Sequence, residues 1–285
     1  MQPTRRITAA LSAATFLIHP VIARGGQADK SMYDLFHPVP DAQLRDLDTD
    51  RPNKTNSPHT LDAGHFQLEM DMLAVALDKQ GSAHTENWNW ANSNLRIGLL
   101  SWLELQVQVP LDEQNRQRDS VTDDVTKTRG MGDLTLAIKA NLWGNDGGDT
   151  GGGLGLYVKT PTASHSIGNG KTEGNLLFFY QTSLPAQVTF GVNAGVGVVV
   201  DDNDRYQAEP SLSFCASHML IGSLSAYIEL FGAVPTRQSD DWIATLDVGL
   251  TLMIGKNLQL DTGVNFGLTP AADNQDLFFG LSFRY

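Results

Sequence analysis

No stretch of this chain approaches the roughly 18 consecutive apolar residues that a membrane-crossing helix requires, so a helical membrane protein is excluded. Cysteine is nearly absent: Cys215 is alone among 285 residues, which rules out an intrachain disulfide and a cysteine-built metal centre. Positive charge is scarce as well. Lys and Arg total 20 against 32 Asp and Glu, a formal net charge of -12, and a chain this acidic is a poor match for nucleic acid. None of these absences excludes a membrane β-barrel, whose strands alternate apolar with polar residues and average to an ordinary composition.

The first residues stand apart from the rest. Arg5 and Arg6 make a positive start, and Ile7 to Ile22 an apolar stretch broken by Ser12, Thr15, His19 and Pro20. Val21-Ile22-Ala23 then places small or branched residues where a signal peptidase cuts. Residues 1–23 are read as a signal peptide, whose loss removes two positive charges and no acids and takes the formal charge from -12 to -14. Residues 24–64 are polar, charged and proline-bearing, with no sustained period. They are expected to form a loosely ordered periplasmic extension, partly packed at a barrel mouth.

From residue 65 to 285 the pattern is strict alternation, which means a sheet with two unlike faces. One face of the run 258–268 is Leu258, Leu260, Thr262, Val264, Phe266 and Leu268; the other is Gln259, Asp261, Gly263, Asn265 and Gly267. The run 188–200 repeats it, with Phe190, Val192, Ala194, Val196 and Val198 against Thr189, Gly191, Asn193, Gly195 and Gly197. A soluble sandwich would oppose a large apolar face to a densely charged one. Here the second face is small and polar, which suits a crowded lumen, and the first suits lipid. The runs are about 10 to 14 residues long, against about 5 or 6 in globular proteins, as a tilted membrane crossing needs.

Twelve such runs can be counted, near 65–78, 88–100, 103–112, 132–143, 152–163, 174–184, 187–201, 206–219, 222–235, 241–255, 257–269 and 275–285. Their connections alternate: short after even-numbered runs and usually longer after odd-numbered ones, the longest being 112–131. The expectation is an all-β, closed antiparallel transmembrane barrel of 12 strands in the outer membrane of a Gram-negative bacterium, both termini periplasmic. Trp102 and Trp143 fall near short turns, and Trp88 and Trp242 near long loops, as interfacial girdles would. Leu277, Phe279, Leu281, Phe283 and Tyr285 share one face of the final run. They resemble the terminal signal that barrel-insertion machinery reads. Pro210 sits badly inside the eighth run, which is expected to begin later or carry a bulge.

Several segments resemble one family, the outer-membrane transporters of the "MetA-pathway of phenol degradation" type. They are Thr49-Asp50-Arg51-Pro52-Asn53-Lys54-Thr55-Asn56-Ser57-Pro58, leading through Ala63-Gly64-His65-Phe66-Gln67-Leu68-Glu69 into the first strand. Similar too are Gly132-Asp133-Leu134-Thr135-Leu136 with Lys139 and Asn141-Leu142, and Val158-Lys159-Thr160-Pro161-Thr162 with Gly168-Asn169-Gly170 and Glu173-Gly174. Asn53 departs from the acid common there. The resemblance implies a transporter of small, aromatic or otherwise apolar molecules.

Parity places Glu69, Asp71, Arg96, Glu104, Lys139, Lys159, Glu229, Asp247, Asp261 and Arg284 on the polar face. They form either a solute-selecting constriction or a structural network of paired charges. Arg284, Arg96 and Glu69 lie on walls that adjoin at closure, which favours pairing there. Asp50 and Arg51 could plug the mouth, or belong to a solvated tether. Asn169-Gly170-Lys171-Thr172 lacks the first glycine of a phosphate loop and reads as a surface loop. His218 beside Ser217, and His165 between Ser164 and Ser166, have no triad partner at pairing distance, so no catalytic residue, metal or cofactor is assigned. The expected function is passive passage of a small-molecule solute, with outer-membrane lipid and insertion machinery as partners and no nucleic acid. A blocked structural or surface barrel is the alternative, and a lipid hydrolase the third reading. Nothing in the sequence sets an oligomeric state.

Overall fold

The computed structural model describes residues 29–165, 167–201, 203–237 and 242–285; the signal peptide expected over 1–23 lies outside the described residues. The strands are β1 (Phe66–Gln80), β2 (Ala83–Leu100), β3 (Leu103–Asp119), β4 (Val125–Gly130), β5 (Leu134–Trp143), β6 (Thr150–Thr160), β7 (Glu173–Leu184), β8 (Val188–Val200), β9 (Tyr206–Ile221), β10 (Leu224–Ala233), β11 (Ile243–Ile254), β12 (Leu258–Gly267) and β13 (Gln275–Arg284). All pairings are antiparallel. β3 pairs with β5 over its first half, and β13 returns to β1 from Gln67↔Arg284 to Leu77↔Gln275, closing a 12-stranded ring. The thirteenth strand, β4, lies on the far half of β3 alone, from Glu113↔Gly130 to Arg118↔Val125.

The pleat explains why alternation produces this ring. Successive side chains point to opposite faces, so Ile138 on the outside is 50% exposed while Lys139 beside it is 0% exposed. Leu136, Leu156, Leu176, Phe178, Val196, Leu212, Phe214, Ile228, Leu230, Leu250, Phe279 and Phe283 are likewise exposed, while the buried positions are chiefly Gln, Asn, Ser, Thr and charged residues. Such an inside-out distribution is stable only where lipid meets the apolar face. Inward aromatics lie over glycines of the adjoining strands: a Cβ on Gly249 would come 2.5 Å from the Tyr227 ring, so any larger residue there would collide.

Three expected features differ. The runs at 65–78, 88–100 and 103–112 are longer: Gln80 faces Ala83 across the turn Gly81-Ser82, and β3 continues to Asp119 before turning into β4. The extra residues stand beyond the apolar belt, where neither face meets acyl chains and the apolar signal vanishes although pairing continues. Pro210 lies within β9, opposite Val196, without a delayed start. Its carbonyl accepts the Val234 N–H at 2.9 Å, just past the end of β10. In an antiparallel strand a residue's N–H and C=O point the same way, so the missing donor faces Val234, and the pairing forgoes one bond there while continuing through Thr236 N–H to the Ala208 carbonyl at 2.9 Å. Finally, residues 29–65 are packed rather than loose. They cross the short-turn end through a 3-10 turn at Asp41–Gln43, enter the barrel, and turn back to β1.

Candidate functional site

The polar interior is organised around the segment 48–61. At the short-turn end Arg45 anchors its approach, donating from Nε to Asp146 Oδ1 at 2.8 Å and from Nη2 to the Ser101 carbonyl at 2.8 Å. Lys30 Nζ meets Asp62 Oδ1 at 2.9 Å. Partial burial opposes ionisation of Asp146, yet the Arg45 guanidinium and the Lys30 ammonium hold its carboxyl below the usual range.

Deeper in, the two halves of the wall differ in charge. On β1 to β5, Arg96 makes a fork to Glu104, with Nε to Oε1 and Nη2 to Oε2 both at 2.9 Å, and reaches Glu69 Oε1 through Nη1 at 2.9 Å. The segment supplies an anion here: Asp50 Oδ1 lies 2.6 Å from Lys139 Nζ, and Asp50 Oδ2 accepts from Gln106 Nε2 at 2.8 Å. The backbone N–H of Leu61 donates to Glu104 Oε2 at 2.7 Å. On β10 to β12 the lumen charges are all acidic, and the segment supplies cations. Arg51 bridges Asp71 of β1 at 2.5 Å and Asp261 of β12 at 2.7 Å, with its guanidinium 5.8 Å from the Phe278 ring. Lys54 Nζ lies 2.6 Å from Asp247 Oδ2 and 5.5 Å from the Phe231 ring. Glu229 accepts the N–H groups of Lys54 and Thr55 at 2.9 and 2.5 Å and the Thr55 hydroxyl, whose oxygen lies 2.7 Å from Ser213 Oγ. The segment thus complements a wall that is mixed in charge on β1 to β5 and acidic on β10 to β12: its anion meets Lys139, and its cations meet Asp71, Asp261 and Asp247.

Eight of the ten charges placed on the polar face by parity come together in this network. Two stay apart. Arg284 holds Asn257 Oδ1 at 2.8 Å and the Arg45 carbonyl at 2.8 Å at the short-turn rim, so of the three residues expected to pair at closure only Arg96 and Glu69 do. Its place on β13, opposite Gln67, leaves it below the cluster. Lys159 pairs with Glu173 at 2.7 Å near the opposite rim. Lys54, Thr55, Gln106 and Ser213 were not singled out in the sequence. Lys54 and Thr55 carry the one signal that could have found them, their place in the same segment as Asp50 and Arg51.

Ser57 Oγ and Asp48 Oδ2 approach a histidine, but both meet the same nitrogen, Nδ1 of His59, at 3.1 and 3.0 Å. A catalytic relay needs them on opposite nitrogens. His218 is exposed on the outer face of β9, whereas Ser217 lines an inner cavity.

A closed antiparallel ring with an apolar exterior and a charged, polar interior defines an outer-membrane-type β-barrel. The sequence profile of the family described as "Putative MetA-pathway of phenol degradation" matches residues 49–285, and the chain belongs to that family. The match begins at Thr49, so it takes in the lumen segment as well as the barrel. Among solved structures the chain is similar to an outer membrane channel from Pseudomonas putida F1, at 16% identity over 78% of this chain and 93% of that one, with a TM-score of 0.53. It also aligns with the transport unit of the autotransporter AIDA-I from Escherichia coli, at 11% identity over 78% of this chain and 90% of that one, TM-score 0.48. The NanC porin aligns at 10% identity over 74% and 98%, TM-score 0.47. No curated protein matches.

Proposed function

We propose that the protein is a passive outer-membrane channel for small molecules, with the short turns and both termini on the periplasmic side and the segment 48–61 as a plug in its lumen. The observation that carries this reading is that cavities flank the segment. One of about 460 Å³ opens beside Arg45, Asp48, His59, Asp146 and Arg284, and one of about 280 Å³ lies beyond the segment beside Lys54, Asn175, Asn193, Glu209 and Phe231. The wall carries six carboxylates, Glu69, Asp71, Glu104, Glu229, Asp247 and Asp261, against Arg96 and Lys139 in this network. That excess disfavours anions and leaves neutral or cationic solutes as cargo. The family description and the inward Phe179, Tyr227 and Phe278 support aromatic or apolar solutes.

Flux into liposomes tests the reading. Phenolic solutes should pass faster than sugars or acidic amino acids, and the Arg51→Gln/Lys54→Gln variant, which loosens the plug from the acidic wall, should raise flux several-fold. A second reading, a structural barrel with a blocked lumen, draws on the same segment because it contacts both halves of the wall. No flux of any solute through either protein would establish that second reading instead.

A further inference from the structure

The wall formed by β1 to β4 continues beyond the start of β5, and its two faces are sharply unlike. Leu277, on the lipid face of β13, is 45% exposed and opposes Val75 of β1. Directly opposed residues share a face, so the row continues outward through Trp88 of β2, Gln114 of β3 and Arg129 of β4. The next row is Leu77, Glu86, Arg116 and Lys127, and the one beyond it Lys79, His84, Arg118 and Val125. Every Lys and Arg on this stretch of the wall therefore points outward: Lys79, Arg116, Arg118, Lys127 and Arg129. The opposite face carries Asp78, Glu113 and Asp119, and neither Lys nor Arg. In a chain of formal charge -12 this is a local reversal of sign.

The reversal sits at a particular height. Trp88 and Trp90 stack with ring centroids 5.8 Å apart at the upper edge of the apolar belt, where tryptophans mark the boundary between acyl chains and headgroups. Arg129 lies 5.8 Å from the Trp90 ring. The Arg116–Lys127 row is two residues further on, about 7 Å along the tilted strands and so about 5 Å higher, which is headgroup level. Neighbouring acids only partly neutralise it: Glu86 meets Arg116 at 3.3 Å, and Asp112 and Asp123 take Arg129 and Arg118 at 2.5 Å each. Lys127 is exposed and has no ion pair among the described residues.

We infer that this face is a docking surface for the phosphate groups of a phosphorylated glycolipid in the surrounding leaflet. Arg116 and Lys127 grip the phosphate, and the Trp pair lies against the acyl chains beneath. Guanidinium and ammonium groups match phosphate oxygens in charge and geometry, and the surface runs without a break into the lipid-facing belt, which favours a lipid over a soluble partner. The inference rests on the membrane placement of the barrel and not on its transport role.

The test is native mass spectrometry of the whole barrel in detergent, with bisphosphorylated lipid A, its dephosphorylated form and phosphatidylglycerol as probes. The wild type should retain bisphosphorylated lipid A in preference to the other two. Arg116→Gln/Lys127→Gln should weaken that retention roughly tenfold or more, and Glu86→Gln, which frees Arg116, should strengthen it. Equal retention by the double variant, no gain in Glu86→Gln, or equal retention of phosphatidylglycerol would overturn the assignment. Solute flux should be unchanged in both variants, so this outcome and that of the transport test are read separately.

Discussion

Arg96 is 1% exposed, and Glu69 and Glu104 on either side are 1% and 0% exposed. A buried cation is tolerated only when its donors are matched, and here the guanidinium reaches both carboxylates and the carbonyls of Asp48 and His59, at 3.2 and 3.1 Å. Replacing one member leaves the others buried and unpaired, which costs more than the pair was worth. Arg96→Leu should therefore destabilise the barrel by about 3–5 kcal/mol, measured by urea unfolding in lipid vesicles. Arg118→Ala, which breaks a pair that is more than half exposed, should change stability by under about 1 kcal/mol. If the two substitutions cost the same, water in the lumen screens the Arg96 network and it is not a structural element.

The lumen segment is held at its entrance as well as in its interior, and the entrance is where pH should act. Asp146 has a lowered folded-state value, so it adds stability above the unfolded carboxylate value of about 4, and that stability is lost as pH falls through the folded value. A spin label at Ala42→Cys, in a Cys215→Ser background, should become more mobile as the pH drops below about 4. In Asp146→Asn the label should be mobile already at pH 7, with a flatter response; unchanged mobility in both proteins would show that Arg45 holds the entrance through its backbone acceptors alone. How much of this could be read from the sequence follows from the same geometry. The alternation of Leu, Val and Phe reveals a strand only where one face meets lipid, so the crossing portions of all twelve strands were legible. Residues 83–87, 113–119 and 125–130 have polar residues on both faces, and what pairs them is the neighbouring strand, about which local pattern says nothing. The segment 48–61 was the least legible. Its partners lie up to 210 residues away, as Arg51 to Asp261 does, and its own residues have no period. The charges it meets were legible by parity, but their pairing was not.

For the molecule as a whole, the decisive property is that its largest exposed surface is apolar. Ile138 and Lys139 are adjacent on β5, one outside at 50% exposure and one inside at 0%. In a water-soluble protein an arginine at a half-exposed position is almost free of cost, within about 0.5 kcal/mol. Near the middle of a lipid-facing belt the same change removes a charge from water and should cost about 2–4 kcal/mol. Ile138→Arg, refolded from urea into vesicles, therefore separates the two environments. Val121→Arg, in the turn between β3 and β4 and 81% exposed, is the control and should be neutral in the same assay. Equal stabilities for the two variants would mean that the exterior meets water at both positions. The apolar belt, the headgroup-level cations above Trp88 and the reading of the interior as a membrane channel would then lose their common basis, since each takes its meaning from lipid on the outside of the ring.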